Sequence, residues 1–256
     1  MNPTPSRAGS RLHRLLPALA ILCGVAALAQ SDGAALSKAR IAEIVASPDR
    51  IEADRTNDIR RKPEEMLAFI GLRPGLVALD LSAGGGYTTE LLARSVAPGG
   101  RVYAQVPRAA GLGLLARVAK PQFADSIVIA AQPFETPIPQ QAAADALDLV
   151  TLMFNYHDLG HMGVDRDRMN RAVFAALKRG GLYVVADHSG RPGTGISEAG
   201  TLHRIEEAFL RAEVEKAGFK LAATGNFLRN PNDPRDKDTP NPAQPKDEFV
   251  LKFVKP

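Results

Sequence analysis

The chain of 256 residues contains one cysteine, no tryptophan and only 5% aromatic residues. The single cysteine, Cys23, lies inside an apolar run near the front, directly after Leu22, where a lipoprotein signal would carry a small residue, so no lipid anchor is expected there. Beyond it there is no cysteine at all. Disulfides, thiolate metal sites and a cysteine nucleophile are therefore excluded from everything that follows. A strong charge of one sign is also missing: 32 Lys+Arg face 28 Asp+Glu, and three of the arginines precede position 29, leaving 29 against 28. That balance gives no electrostatic footprint for a nucleic-acid partner. No internal repeat interrupts the chain, and its 45% apolar content suits a single domain with a sizeable core.

What the front does contain is a signal-like order of parts. Arg7, Arg11 and Arg14 form a basic region without an acid, residues 15–29 are apolar but too short to span a bilayer comfortably, and Ala27-Leu28-Ala29 supplies a small-x-small pattern. Cleavage after Ala29 is expected, with a periplasmic or secreted mature chain and no stable membrane anchor; an uncut N-terminal anchor is the alternative. No Arg-Arg pair precedes the apolar part, which favours the general secretory route. Residues 30–70 then read as a helical extension, and residues 71–256 as one α/β domain.

Strand and helix patterns alternate through that domain. Strands are expected at 76–81, 101–105, 126–130, 147–155, 182–187, 220–227 and 248–254. Helices are expected at 87–96, 111–120, 166–179 and 205–217, the third capped by Asp165 and stopped by Gly180-Gly181. Such alternation predicts a mainly parallel seven-stranded sheet with a C-terminal antiparallel strand and helices on both faces, a Rossmann-like architecture. Ligands of such sheets sit at the carboxyl ends of the strands. The turn after the first strand is therefore singled out, where three consecutive glycines, Gly84, Gly85 and Gly86, carry no Cβ ahead of the next helix.

Two ligand classes compete for that turn. A dinucleotide fingerprint counted from Gly84 would need its third glycine at Thr89, and an acid at the end of the second strand, which ends instead in Gln105. The stretch VALDLSAGGGYTTELLA, by contrast, resembles motif I of the class I S-adenosylmethionine-dependent methyltransferases, and LKRGGLYVV is similar to the element before their fifth strand. Within that family the chain resembles a subgroup with signal peptides, through RKPEEMLAF, FNYHD, ADHSG and TLHRIEEA. The resemblance implies S-adenosylmethionine as cofactor, with Gly84 and Gly86 against its methionine part and Asp80 near its amino group. It also implies Gln105 at the ribose and the segment from Gln132 to Glu135 beside the adenine. Ser82, standing where the family has its first glycine, and Asn155 complete the implied cofactor contacts.

Chemistry is expected where the fourth and fifth strands run out, into Asn155-Tyr156-His157-Asp158 and Asp187-His188. A histidine beside a carboxylate is suited to remove a proton near neutral pH, so His157, Asp158 and His188 are the expected catalytic residues. His157 and His161 stand four apart with Asp158 between them, but Gly160 and Gly163 are expected to interrupt a helix there, and no metal is expected. The charged run 54–62 reads as solvent-facing, with a lid whose Arg60, Arg61 or Lys62 meets an anion as the alternative. The proline-rich segment 229–247 is too long for a plain connection and is expected near the substrate pocket. The function expected is methyl transfer to a small-molecule acceptor. The alternatives are a non-catalytic periplasmic binding protein on the same fold and a metal-dependent hydrolase.

Overall fold

Along the first strand, alternate side chains enter different clusters: Ala78 belongs to one hydrophobic core, Leu79 and Leu81 to another. This period of two is the physical origin of a three-layer arrangement, because a central sheet buried on both faces needs helices on both. The computed structural model describes residues 1–4, 33–143, 146–240 and 243–256. The export signal and its expected cleavage after Ala29 lie outside the described residues. Asp32–Pro256 forms one compact unit.

Three helices open it, α1 (Lys38–Val45), α2 (Glu52–Arg61) and α3 (Pro63–Ile70). There follow β1 (Val77–Leu81), α4 (Tyr87–Val96), β2 (Arg101–Val106), α5 (Leu112–Val118), β3 (Ile127–Ala131), β4 (Leu147–Met153), α6 (Tyr156–His161) and α7 (Arg166–Ala176). The chain closes with β5 (Leu177–His188), α8 (Ala199–Leu202), α9 (Glu207–Lys216), β6 (Lys220–Gly225) and β7 (Glu248–Val254). The seven strands lie in the order β3-β2-β1-β4-β5-β7-β6. Only β7 runs against its neighbours. The order reverses between β1 and β4, so the cleft at their carboxyl ends is where a ligand fits.

One core takes Ile41 and Ile44 of α1, Met66, Leu67 and Ile70 of α3, and Leu91, Leu92 and Val96 of α4. The opposite core takes Met169 and Val173 of α7 and Leu210 and Val214 of α9. Among the described residues no helix is long and apolar enough to cross a membrane.

Three sequence expectations need correction. The helix expected to reach residue 179 ends at Ala176, and β5 begins at Leu177, pairing with Leu147 before the register shifts. Gly180, at φ 77°, makes the irregularity inside the strand instead of capping a helix. Gly160 does not interrupt α6, because its missing Cβ is what lets Ile196 pack there. The charged run is a solvated face only in part: Thr56, Asn57, Ile59 and Lys62 are exposed, but Asp54 on α2 is only 3% exposed.

Candidate functional site

The site begins with backbone. Ser82, Gly84 and Gly86 all adopt left-handed φ, at 62°, 54° and 84°, and Gly86 is the N-cap of α4. For Ser82 this conformation is strained, since its Cβ crowds the following carbonyl. A Cβ at Gly85 would meet nothing within 4 Å, and one at Gly84 only the Ser82 carbonyl at 3.9 Å. The turn therefore presents bare backbone to open space and can accept a ligand group at close range.

The side chains expected to touch that ligand are largely turned inward. Asp80 is 2% exposed and each carboxylate oxygen accepts a threonine hydroxyl, from Thr89 at 2.6 Å and Thr151 at 3.0 Å. Burial raises its pKa to about 6, the two hydroxyls and the Arg61 charge opposing the rise. Gln105 is fully buried; its carbonyl oxygen accepts Ser82 N–H at 2.8 Å and its amide donates to the Gln132 carbonyl at 2.6 Å. Asp80 thus ties β1 to α4 and β4, and Gln105 ties the ends of β1, β2 and β3 together beneath the turn. Glu135 is half-buried on the segment after β3, and its side chain has no hydrogen bond or ion pair among the described residues.

Below the turn runs an ionic network that has no local sequence signature. Arg117 of α5 donates from Nε to the Gly85 carbonyl at 2.8 Å, grips both Asp54 oxygens at 2.6 and 2.7 Å, and reaches Glu90 at 2.5 Å. Its guanidinium stem lies where a Cβ on Gly86 would be, 2.8 Å from Cδ. Through Asp54 this network fixes α2 over the cleft. The end of α2 then delivers Arg61, whose guanidinium lies 4.9 Å from both the Tyr87 and Phe154 ring centroids. Its Nε is buried without a hydrogen-bond partner, and Arg61 makes no ion pair among the described residues. Desolvation by burial lowers its pKa, as does the neighbouring charge of Arg60. The more distant charges of Glu248 and Asp80 oppose that fall, but a half-buried cation with no contact ion pair among the described residues, beside a glycine turn, suits a carboxylate.

Phe154, itself at φ 63°, separates this half from the second. On its other side His188 stacks at 5.7 Å. The carboxyl ends of β4, β5 and the start of β7 converge here. His157, at the start of α6, is 2% exposed. Asp187, fully buried, accepts from the backbone N–H of His157 at 2.8 Å and stands 2.6 Å from its ring Nδ1. Burial alone would push the His157 pKa down, but the hydrogen bond and charge of Asp187, then the charge of Asp158, outweigh it and raise the value. Asp158 Oδ1 lies 3.2 Å from His157 Nε2 and 3.2 Å from His203 Nδ1, while Asn155 donates to its other oxygen at 3.1 Å. His188 Nδ1 approaches Glu248 at 2.9 Å without hydrogen-bond alignment, and Arg60 bonds the same carboxylate at 2.5 Å.

The structure thus gathers His157, Asp158, His188 and Asn155 at one edge, with His203, Asp187 and Glu248 added. His161, on the same helix, packs instead against Gly200 of α8. The segment after β6 is folded against this edge. Buried Arg204 holds it through the Lys237 carbonyl at 3.0 Å and Asp233 at 2.9 Å. A cavity of about 400 Å³ lies between the end of α2 and that segment, lined by Arg60, Lys62, Arg229, Asn230, Lys246 and Glu248 among others. A cavity at the opposite edge of the sheet, lined by Arg73, Asp148 and Lys178, sits where the strands begin and far from these groups.

No family model and no curated protein matches the chain. Many solved structures share its fold. It aligns over 86% of its length with the whole of a SAM-dependent methyltransferase from Aquifex aeolicus, at 15% identity and a TM-score of 0.57. A Burkholderia thailandensis 1,6-didemethyltoxoflavin-N1-methyltransferase, solved with 1,6-didemethyltoxoflavin and S-adenosylhomocysteine bound, aligns over 78% of this chain and 80% of its own, at 18% identity and a TM-score of 0.53. A possible exported protein from Bordetella parapertussis covers 88% of this chain and 81% of itself, at 18% identity and a TM-score of 0.51. At such identities the likeness is one of fold.

Proposed function

We propose that this chain, which has the fold of the class I S-adenosylmethionine-dependent methyltransferases, binds S-adenosylmethionine at the glycine turn and methylates a small-molecule acceptor held at the histidine edge. The observation that carries this reading is Arg61: a partly buried guanidinium with an unpartnered Nε, stationed beside bare glycine backbone at the sheet's switch point. In this reading the turn from Ser82 to Gly86 borders the methionine part, Arg61 receives its carboxylate, and the segment reaching Glu135 borders the adenine. When bound, the cofactor supplies an electrophilic methyl group on sulfonium sulfur, and the acceptor must lose a proton.

The 400 Å³ cavity beside Glu248 and His188 has the size of a small-ligand site, and its cationic lining suits a polar or anionic acceptor. What His157 offers, at the histidine edge and outside that cavity's lining, is the lone pair of Nε2 beside Asp158, since Asp187 holds Nδ1 as the donor nitrogen. That lone pair either takes the acceptor's proton or holds a cation that lowers the acceptor's pKa. Export to the periplasm belongs to the same proposal, on the basic, apolar and small-x-small order of residues 1–29.

Calorimetric titration of the purified chain with S-adenosylhomocysteine tests the reading. Saturable binding is expected, weakened about tenfold or more by Arg61→Gln, which removes a charge-assisted partner. It should vanish in Gly85→Val, whose new side chain fills the open space without straining the turn. Absence of binding at millimolar ligand would overturn methyl transfer and favour a binding protein for another small ligand.

A further inference from the structure

We infer that His157, Asp158 and His203 form a binding site for one divalent first-row transition cation, with His157 Nε2, an Asp158 oxygen and His203 Nδ1 as ligands. The ligand atoms of these three residues all lie within 4.8 Å of one another. Both histidine nitrogens already stand 3.2 Å from the same Asp158 oxygen. Ligands about 2.1 Å from a common ion are separated by roughly 3.0 to 3.4 Å in octahedral or tetrahedral geometry, so the two contacts need little adjustment.

Three further features point the same way. First, the two ligands on α6 have the outer supports that metal ligands need: Asp187 holds His157 Nδ1 at 2.6 Å and Asn155 holds the second Asp158 oxygen at 3.1 Å. A carboxylate on one imidazole nitrogen fixes the tautomer and leaves the other nitrogen's lone pair for the ion. Second, His203 occupies a left-handed backbone position, φ 50°, and its ring meets His157 edge-on with centroids 5.6 Å apart. Backbone strain of this kind persists where surrounding structure requires one side-chain direction. Third, the local charge is unbalanced. Arg60 answers Glu248 at 2.5 Å and Lys246 answers Asp238 at 2.6 Å, whereas among the described residues Asp158 and Asp187 have only histidines as ion-pair partners. A dication would neutralise both.

Two imidazoles and one carboxylate, with no thiolate and with positions left open, suit zinc, manganese, iron or cobalt in the divalent state. In this proposal His203, not His161, supplies the second imidazole. An open position would take an oxygen of the acceptor and lower its pKa. That use rests on the methyl-transfer reading; the site itself does not.

The test uses the untagged full chain, stripped with a chelator and titrated with Co²⁺ by visible absorption and with Zn²⁺ by calorimetry. One equivalent should bind. His203→Ala and Asp158→Asn should abolish that stoichiometric binding, Asp187→Asn should weaken it about 10- to 100-fold, and His161→Gln should leave it unchanged. His203 is half exposed, so its variant keeps the fold, which thermal melting checks. No saturable binding in the unaltered chain, or binding that survives His203→Ala, would overturn the site. S-adenosylhomocysteine titrated into the same samples keeps the two readings apart: cobalt bound without it overturns only methyl transfer, and the reverse overturns only the metal.

Discussion

The two halves of the cleft are built on opposite principles. At the ends of β1 and β2 the binding surface is backbone, and the polar side chains around it are consumed holding that backbone in place. At the ends of β4, β5 and β7 the surface is side chains, and the backbone merely delivers them. Asp80 shows the first: 2% exposed, it spends both oxygens on Thr89 and Thr151. His157 shows the second, with one nitrogen on Asp187 and the other directed at Asp158. The difference teaches that a strained turn is satisfied from within and leaves bare backbone facing the cleft, whereas the histidine edge is made of side chains that face one another.

The sharpest way to break the contrast is at Arg117. Arg117→Met strands buried Asp54 and frees the Gly85 carbonyl, while Glu90 keeps Arg94 and Lys120, which should cost about 3 kcal/mol or more in urea unfolding. Cofactor binding should weaken as α2 loosens. An unchanged unfolding midpoint would show that the network carries no weight.

At the other half, His157→Ala should lower turnover by about 100- to 10,000-fold while S-adenosylhomocysteine affinity stays nearly unchanged. Equal losses in both would erase the division between a holding half and a reacting half.

Asp80 gives a pH signature to the first half. Its carboxyl titrates near 6 in the fold against an ordinary 3.8, so its contribution to stability is fully present below 3.8 and is lost as pH rises through 6. Asp80→Asn carries no such loss. Its stability relative to the parent chain should therefore improve between pH 4 and pH 7, by up to about 3 kcal/mol. A pH-independent difference would mean that the threonine hydroxyls fully compensate the burial.

The smallest effect belongs to Ser82. Ser82→Gly relieves a left-handed serine and should stabilise the chain by about 1 kcal/mol or less, because glycine's added freedom when unfolded offsets part of the relief. A destabilised variant would assign the serine hydroxyl a role that its backbone conformation conceals.

Local segments were legible. The run from 76 to 96 reads as strand, glycine turn and helix because period-two burial, a run without Cβ atoms and a 3.6-residue period are all written in consecutive residues, and α4 spans Tyr87–Val96 as expected. Asp165 caps α7 through the Arg168 N–H, a bond between residues three apart that sequence order dictates. His157 and His188 also stand where the carboxyl-edge rule points, because strand ends can be counted along the sequence.

What could not be read is whatever joins distant segments. Asp54 looks like any acid in a charged run, and only the lean of α2 against α5, 63 residues later, buries it on Arg117. In the sequence His161, four residues on, is the partner offered to His157, and nothing marks His203. The choice falls to His203 because α8 packs on α6 so that Gly200 sits against the His161 ring, while the turn after α8 brings His203 to Asp158. Sequence alone determined the succession of strands with α4, α5, α7 and α9 between them, the glycine turn and the polar strand ends, since these depend on backbone conformation and on neighbours within a few residues. Tertiary structure alone decided which charges are buried, which histidine completes the cluster and where Arg61 comes to rest, since each depends on the distance between elements whose separation along the chain carries no geometric information.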